Sequence, residues 1–115
     1  MVFSLDETLI PFLGWVAIRQ YLPAKPHPYG LLARVMCAGK SRFIVSFELY
    51  FGAKSTVTND LPTILRRFCN KILQEDGKHY TLVVDNYYTT MKSVAACHSI
   101  GWSVVGTIRP NRTTL

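Results

Sequence analysis

Two aspartates stand where this chain could do chemistry. Asp6 lies in "VFSLDETLI", Val2 to Ile10, and Asp85 closes the apolar run of "TLVVDNYYTT", Thr81 to Thr90. With only seven acidic residues in 115, a carboxylate at the tip of the most apolar segment needs a reason. Carboxylates on rigid strands suit Mg²⁺, a hard cation that takes oxygen ligands and keeps several of its waters. Two such ions about 3.5–4 Å apart activate a nucleophile and neutralise a pentacoordinate phosphoryl group, which is the chemistry of phosphodiester cleavage. A third carboxylate, from a helix packed beside the strands, would complete the set. An Asp at a strand end is also a common turn or capping residue, and at this point both readings stand.

The remaining polar residues point to no rival chemistry. Glu7 reads as a local ion-pair partner, Glu48 as the wet face of a strand, and Asp60 as a helix cap. Glu75 and Asp76 fall at a helix end. Cys37, Cys69 and Cys97 are odd in number and far apart, without CxxC or mixed Cys/His spacing, so neither a disulfide framework nor a zinc site is indicated. They read as small core residues in a reduced, intracellular protein. His27, His79 and His98 lack ligand spacing, and no Ser-His-Asp set, Cys-His set or phosphate-binding glycine loop can be drawn.

The elements that must position the acids follow from hydrophobic period. Val2–Ile10 alternates, with Phe3, Leu5, Glu7 and Leu9 on one face and Ser4, Asp6 and Thr8 on the other. Two further strands, Leu31–Ala38 and Phe43–Phe51, are joined by the hairpin-length "GKSR". Between the first two strands, "YLPAKPHPYG", Tyr21 to Gly30, carries three prolines and reads as a loop. The period then changes: Leu61, Ile64, Leu65, Phe68, Ile72 and Leu73 mark an amphipathic helix over Leu61–Glu75, capped by Asn59 or Asp60 and ended by Gly77. Arg66, Arg67 and Lys71 fall on its wet side. A strand Tyr80–Asp85, a helix Thr90–Ile100 stopped by Gly101, and a strand Trp102–Arg109 complete the chain.

Strand, strand, strand, helix, strand, helix, strand is an α/β order. Hairpins in the first part imply antiparallel pairing, and helical crossovers in the second imply parallel pairing. This is the order of a ribonuclease H-like mixed sheet, in which the first and fourth of these strands are neighbours. Asp6 and Asp85 would then share a cation.

Composition sets the outer bounds. Forty-nine per cent hydrophobic residues and 17 per cent charged residues are enough for one cored domain over 1–115 and argue against disorder. No apolar run reaches the roughly 18–20 residues of a membrane helix, and the first residues lack a signal-peptide pattern. The formal charge of +6 is compatible with a polyanionic partner.

Three blocks together resemble the catalytic domain of piggyBac-type transposases and their domesticated derivatives. They are "SLDETLIPFLG", Ser4–Gly14, continued by "RQYLPAKPHPYG", Arg19–Gly30; "VVDNYYTT", Val83–Thr90; and "VVGTIRPNR", Val104–Arg112. They occur in the family's order, and the resemblance spans essentially the whole chain. It implies a DDE/DDD enzyme of ribonuclease H-like fold, truncated at its C-terminal end, in which three Asp residues bind two Mg²⁺ (or Mn²⁺) ions and DNA is cut and joined. By motif match Asp6 is the first acid and Asp85 the second. The third lies beyond the "GTIR" strand in the family and has no counterpart before Leu115. The chain alone is therefore expected to be inactive and to hold metal weakly.

The family's basic residues flanking the first glycine are replaced by Leu13 and Trp15, and a later Lys by Leu32. Arg19, Lys25, Arg109 and Arg112 remain as candidate DNA contacts, and Tyr87 and Tyr88 either stack on a base or pack under the second helix. The resemblance also implies a nuclear location. An uncovered sheet face would leave apolar surface for self-association. The alternative from a different class is a noncatalytic remnant that binds DNA or protein. A steep loss of DNA affinity with salt would mark phosphate contacts in either case.

Overall fold

The computed structural model describes residues 1–11, 19–21, 23, 29–39, 42–50 and 60–110. The chain runs β1 (Val2–Pro11), β2 (Arg19–Tyr21), β3 (Tyr29–Ala38), β4 (Ile44–Leu49), α1 (Leu61–Asn70), β5 (Tyr80–Val84), α2 (Met91–His98) and β6 (Trp102–Gly106). The six strands form one mixed sheet in the order β2-β3-β1-β5-β6, with β4 also pairing β3. β1 pairs β3 antiparallel from Phe3↔Ala38 to Pro11↔Gly30, and pairs β5 parallel from Val2↔Thr81 to Ser4↔Val83. β5 and β6 are parallel from Tyr80↔Trp102 to Val84↔Gly106. The expected antiparallel first part, parallel second part and β1–β5 neighbourhood are all present.

One face of the sheet carries the core. Phe3 and Leu5 of β1, Tyr80, Leu82 and Val84 of β5, and Trp102 of β6 pack against Ile64, Leu65 and Phe68 of α1 and Cys97 of α2. The rings of Phe3, Tyr80 and Trp102 cluster, with Trp102 centred 5.6 Å from Phe3 and 5.3 Å from Tyr80. Strand alternation sends the intervening residues to the opposite face. There Val2, Val83 and Val105 are exposed, as is Phe47 of β4. The expected apolar surface is present on this side.

Several readings of the sequence need correction. β2 was not foreseen; it pairs Arg19↔Leu31 to Tyr21↔Tyr29 just before the prolines, and β3 begins at Tyr29, two residues early. Of the strand expected over Phe43–Phe51 the structure has Ile44–Leu49, with Phe43 and Tyr50 outside it and Phe51 beyond the described residues. α1 stops at Asn70 rather than Glu75, its last turn tightened by bonds from Lys71 N–H to the Phe68 carbonyl and Ile72 N–H to the Cys69 carbonyl. Beyond it the Tyr80 hydroxyl accepts the Glu75 N–H at 2.9 Å, giving that backbone a partner outside the helix, and Leu73 is left 89 % exposed.

Glu48 and Arg67 do not face water alone: Arg67 donates two bonds to Glu48 at 2.6 and 2.7 Å, and Lys71 sits 3.5 Å from the same carboxylate. Burial pushes the Glu48 carboxyl up, but the arginine and lysine outweigh it and hold it below its ordinary value. The pair fastens β4 to α1.

The second helix lies within the expected Thr90–Ile100 but spans Met91–His98, and the last strand ends at Gly106 rather than Arg109. The Thr90 hydroxyl accepts the Ser93 N–H at 3.0 Å as an N-cap, and Gly101, at φ +86°, takes the left-handed conformation that ends the segment.

Candidate active site

Asp6 is exposed on β1, and Asp85 is exposed on the residue after β5. The β1–β5 ladder ends at Ser4↔Val83. Continued two steps, the same offset brings Asp6 opposite Asp85. Both then lie on the uncovered face, in phase with Val83 and out of phase with the buried Leu5 and Val84.

Each carboxylate is steadied by its own backbone. Asp6 Oδ1 accepts the Glu7 N–H at 2.8 Å, and Asp85 Oδ1 accepts the Tyr87 N–H at 3.1 Å. The capping role expected of a strand-end Asp is therefore real at Asp85, and it does not exclude the other reading, because a carboxylate has a second oxygen. Two hard oxygen donors on adjacent strands fit an Mg²⁺ or Mn²⁺ ion as a partial set. Among the described residues no group of three or more His, Cys, Asp or Glu side chains is placed to hold a metal.

The turn after Asp85 divides the two tyrosines. Tyr87 is 57 % exposed and Tyr88 is 1 % exposed, with their rings edge to face at 5.1 Å. Packing is thus the outcome at Tyr88, while Tyr87 keeps a free ring face at the site. The Tyr88 hydroxyl donates to Glu7 Oε1 at 3.0 Å. Burial, reinforced by the Glu7 charge and this bond, pushes the Tyr88 phenol far above its usual value, although the nearby Arg34 guanidinium opposes the shift. Thr89 donates its hydroxyl to the Asp85 carbonyl at 2.7 Å. Gly106 of β6 lies directly under Thr89, where a Cβ would meet Thr89 Oγ1 at 2.3 Å.

A cavity of about 480 Å³ opens beside Asp85, lined by Glu7, Leu32, Arg34, Tyr50, Asp85 and Tyr87. Arg34 lies over the Tyr50 ring at 5.4 Å. Asp6 is not among the lining residues. A second cavity of about 440 Å³ joins Asp85 to Arg109. Its edge is fixed by the Arg109 N–H, which donates to Asn86 Oδ1 at 3.1 Å.

Of the candidate basic contacts, Arg109 is therefore beside Asp85. Arg19 lies on β2, separated from β1 by β3. Lys25 and Arg112 are outside the described residues, as are Leu13 and Trp15. Leu32, where the family has a Lys, lines the Asp85 cavity. Sequence reasoning missed the partnership of Glu7 with Tyr88. Its signal was the phase of β1, which puts Glu7 among Phe3, Leu5 and Leu9 on the covered face.

Comparison with known proteins agrees with this architecture. The family model described as transposase IS4 matches residues 1–115. Human PiggyBac transposable element-derived protein 3 is 23% identical over 113 residues, covering 93% of this chain and 18% of its own length. The human chimeric ERCC6-PGBD3 protein is equally similar, at 23% identity, with 10% of its length covered. A cryo-EM structure of the piggyBac transposase synaptic complex with hairpin DNA superposes with a TM-score of 0.76 at 25% identity, over 97% of this chain and 24% of that one. This chain thus spans less than a quarter of the length of each of these three relatives. The chain belongs to the transposase IS4 family and is of the piggyBac type.

Proposed function

We propose that this chain forms the acid-bearing part of a ribonuclease H-like transposase catalytic region, with DNA as substrate and Asp6 and Asp85 as ligands of Mg²⁺ or Mn²⁺. The observation that carries the reading is the parallel β1–β5 pairing, whose offset, continued two steps past Ser4↔Val83, would set the two acids opposite each other at the same end of the sheet. A divalent cation there would supply charge neutralisation at a scissile phosphate. Asp6 and Asp85 would orient it from the uncovered face. Arg109, sharing a cavity with Asp85, would meet the phosphate backbone, and Arg19, Lys25 and Arg112 are the more distant candidates. The exposed ring of Tyr87 is available to stack on a base.

With two acids and no third among the described residues, the chain on its own holds the ion weakly and does not join DNA strands. Action on chromosomal DNA implies a nuclear location. The exposed apolar face that carries Val2, Phe47, Val83 and Val105 offers a route to self-association.

The test is Mn²⁺-induced NMR line broadening on this chain and on Asp85→Asn. Saturable broadening centred on Asp6 and Asp85, abolished by the substitution, is the expected result. A folded sample that shows no saturable broadening overturns the metal reading and leaves Asp85 as a turn residue.

A further inference from the structure

The two acids lie beyond the last rung of the β1–β5 ladder, Ser4↔Val83, so backbone pairing does not hold them together. The contact that does cross the gap is a side-chain bond. Tyr88 Oη donates to Glu7 Oε1 at 3.0 Å, and these residues are immediate neighbours of the ones that hold the acids. Glu7 supplies the N–H that fixes Asp6 Oδ1, and Tyr87 supplies the N–H that fixes Asp85 Oδ1. A continuous path thus runs from Asp6 through Glu7 and Tyr88 to Tyr87 and Asp85.

We propose that Tyr88 is a positioning residue that sets the spacing of Asp6 and Asp85 through its bond to Glu7. This rests on the metal reading above for its purpose, but not for its geometry.

Three features make the bond a firm one. Tyr88 is 1 % exposed, so water does not compete for its hydroxyl. Its acceptor is a carboxylate, and a charged acceptor roughly doubles the strength of such a bond. Arg34, 6 % exposed and directly opposite Glu7 in the β1–β3 register, sets a positive charge beside the pair. The Thr89 bond to the Asp85 carbonyl braces the other side of the turn. A tyrosine kept only to fill the core would need none of these polar partners, and phenylalanine would serve as well.

Tyr88→Phe keeps the ring and removes the donor. Amide hydrogen exchange measured by NMR on the full chain gives a readout independent of metal. Exchange at the Glu7 and Tyr87 amides is expected to accelerate about tenfold, the equivalent of one hydrogen bond to a charged group. The Leu82 amide in the sheet should keep its wild-type rate. The Mn²⁺ concentration needed for half-maximal broadening should rise by a similar factor. Glu7→Gln retains an acceptor oxygen for the phenol and is expected to fall between wild type and Tyr88→Phe.

Unchanged exchange at Glu7 and Tyr87, or acceleration spread evenly through β5, would overturn the proposal and return Tyr88 to the core. If Tyr88→Phe does not fold, the same two amides in Glu7→Ala decide the question. If wild type binds no Mn²⁺, the metal reading fails while the exchange result still decides whether the latch exists.

Discussion

Gly106→Ala couples a one-carbon change in β6 to the backbone of Asp85. The added Cβ would lie 2.3 Å from Thr89 Oγ1, 2.8 Å from its Cγ2 and 3.1 Å from its Cβ. Thr89 has nowhere cheap to go: it is β-branched with a stiff χ1, it is buried, and its hydroxyl holds the Asp85 carbonyl at 2.7 Å. Overpacking costs about 1–3 kcal/mol, and loss of the hydroxyl bond adds about 1 kcal/mol. The stiffer unfolded chain of an alanine offsets roughly 0.4–1 kcal/mol. The net destabilisation is then about 1–3.5 kcal/mol, or a fall in Tm of roughly 4–18 °C for a domain of this size.

The assay is a double-mutant cycle read by urea and thermal unfolding. Thr89→Ala removes Oγ1 and Cγ2, the two atoms in severe conflict, so the double variant should cost about 1–2 kcal/mol less than the sum of the single ones. Additive costs, or a Gly106→Ala variant as stable as wild type, would refute the close packing of β6 on Thr89.

Two other outcomes follow from the packing. Leu82 is fully buried between Phe3 and Val104 at the sheet centre, and Leu82→Ala should lower stability by about 2–5 kcal/mol in urea unfolding. A loss below about 1 kcal/mol would mean that β5 is not central. Glu48 is held below its ordinary carboxylate value by Arg67 and Lys71 despite the opposing effect of burial. A carboxyl lowered on folding contributes stability that is present above its unfolded value, about 4.3, and lost as pH falls through its folded value. The urea midpoint of wild type should therefore drop more steeply below about pH 4.3 than that of Glu48→Gln, and parallel acid profiles would show that the ion pair adds nothing.

What could be read from the sequence was what depends on local period. The alternation of β1, the β-branched run of β5 and the Thr90 cap of α2 each act within a few residues, and each formed as expected. The exposed face of Asp6 followed from the same alternation, and Asp85 stood out as the acid that closes an apolar run. Alternation does not say what covers that face. Glu48 looked wet because nothing near it in sequence announces Arg67, 19 residues on. β2 has three residues and is held by its pairing with β3, so it has no period to detect. The end of α1 was missed because Ile72 and Leu73 continue the helical spacing, while a hydroxyl from Tyr80 bonds the backbone that follows. Glu7 and Tyr88 were both noticed, but their bond could only be seen in three dimensions.

The Glu7–Tyr88 bond spans 81 residues of chain, and that separation has a consequence in time. Closing a loop of that length costs about 2 kcal/mol more entropy than closing one of ten residues. The β3–β4 hairpin and the β5–α2–β6 unit need only near neighbours and are expected to form before it. At about 5–20 residues per second of synthesis, Asp6 exists for roughly 4–16 s before Asp85 has been made. Once β3 has been made, β1 has β3 on one side and, until β5 arrives, an open edge on the other, with Val2, Phe3 and Leu5 all uncovered. The acids are thus the last parts of the domain to meet, and the half-built sheet that waits for β5 is the form of this protein most exposed to chaperones, proteases and its own copies.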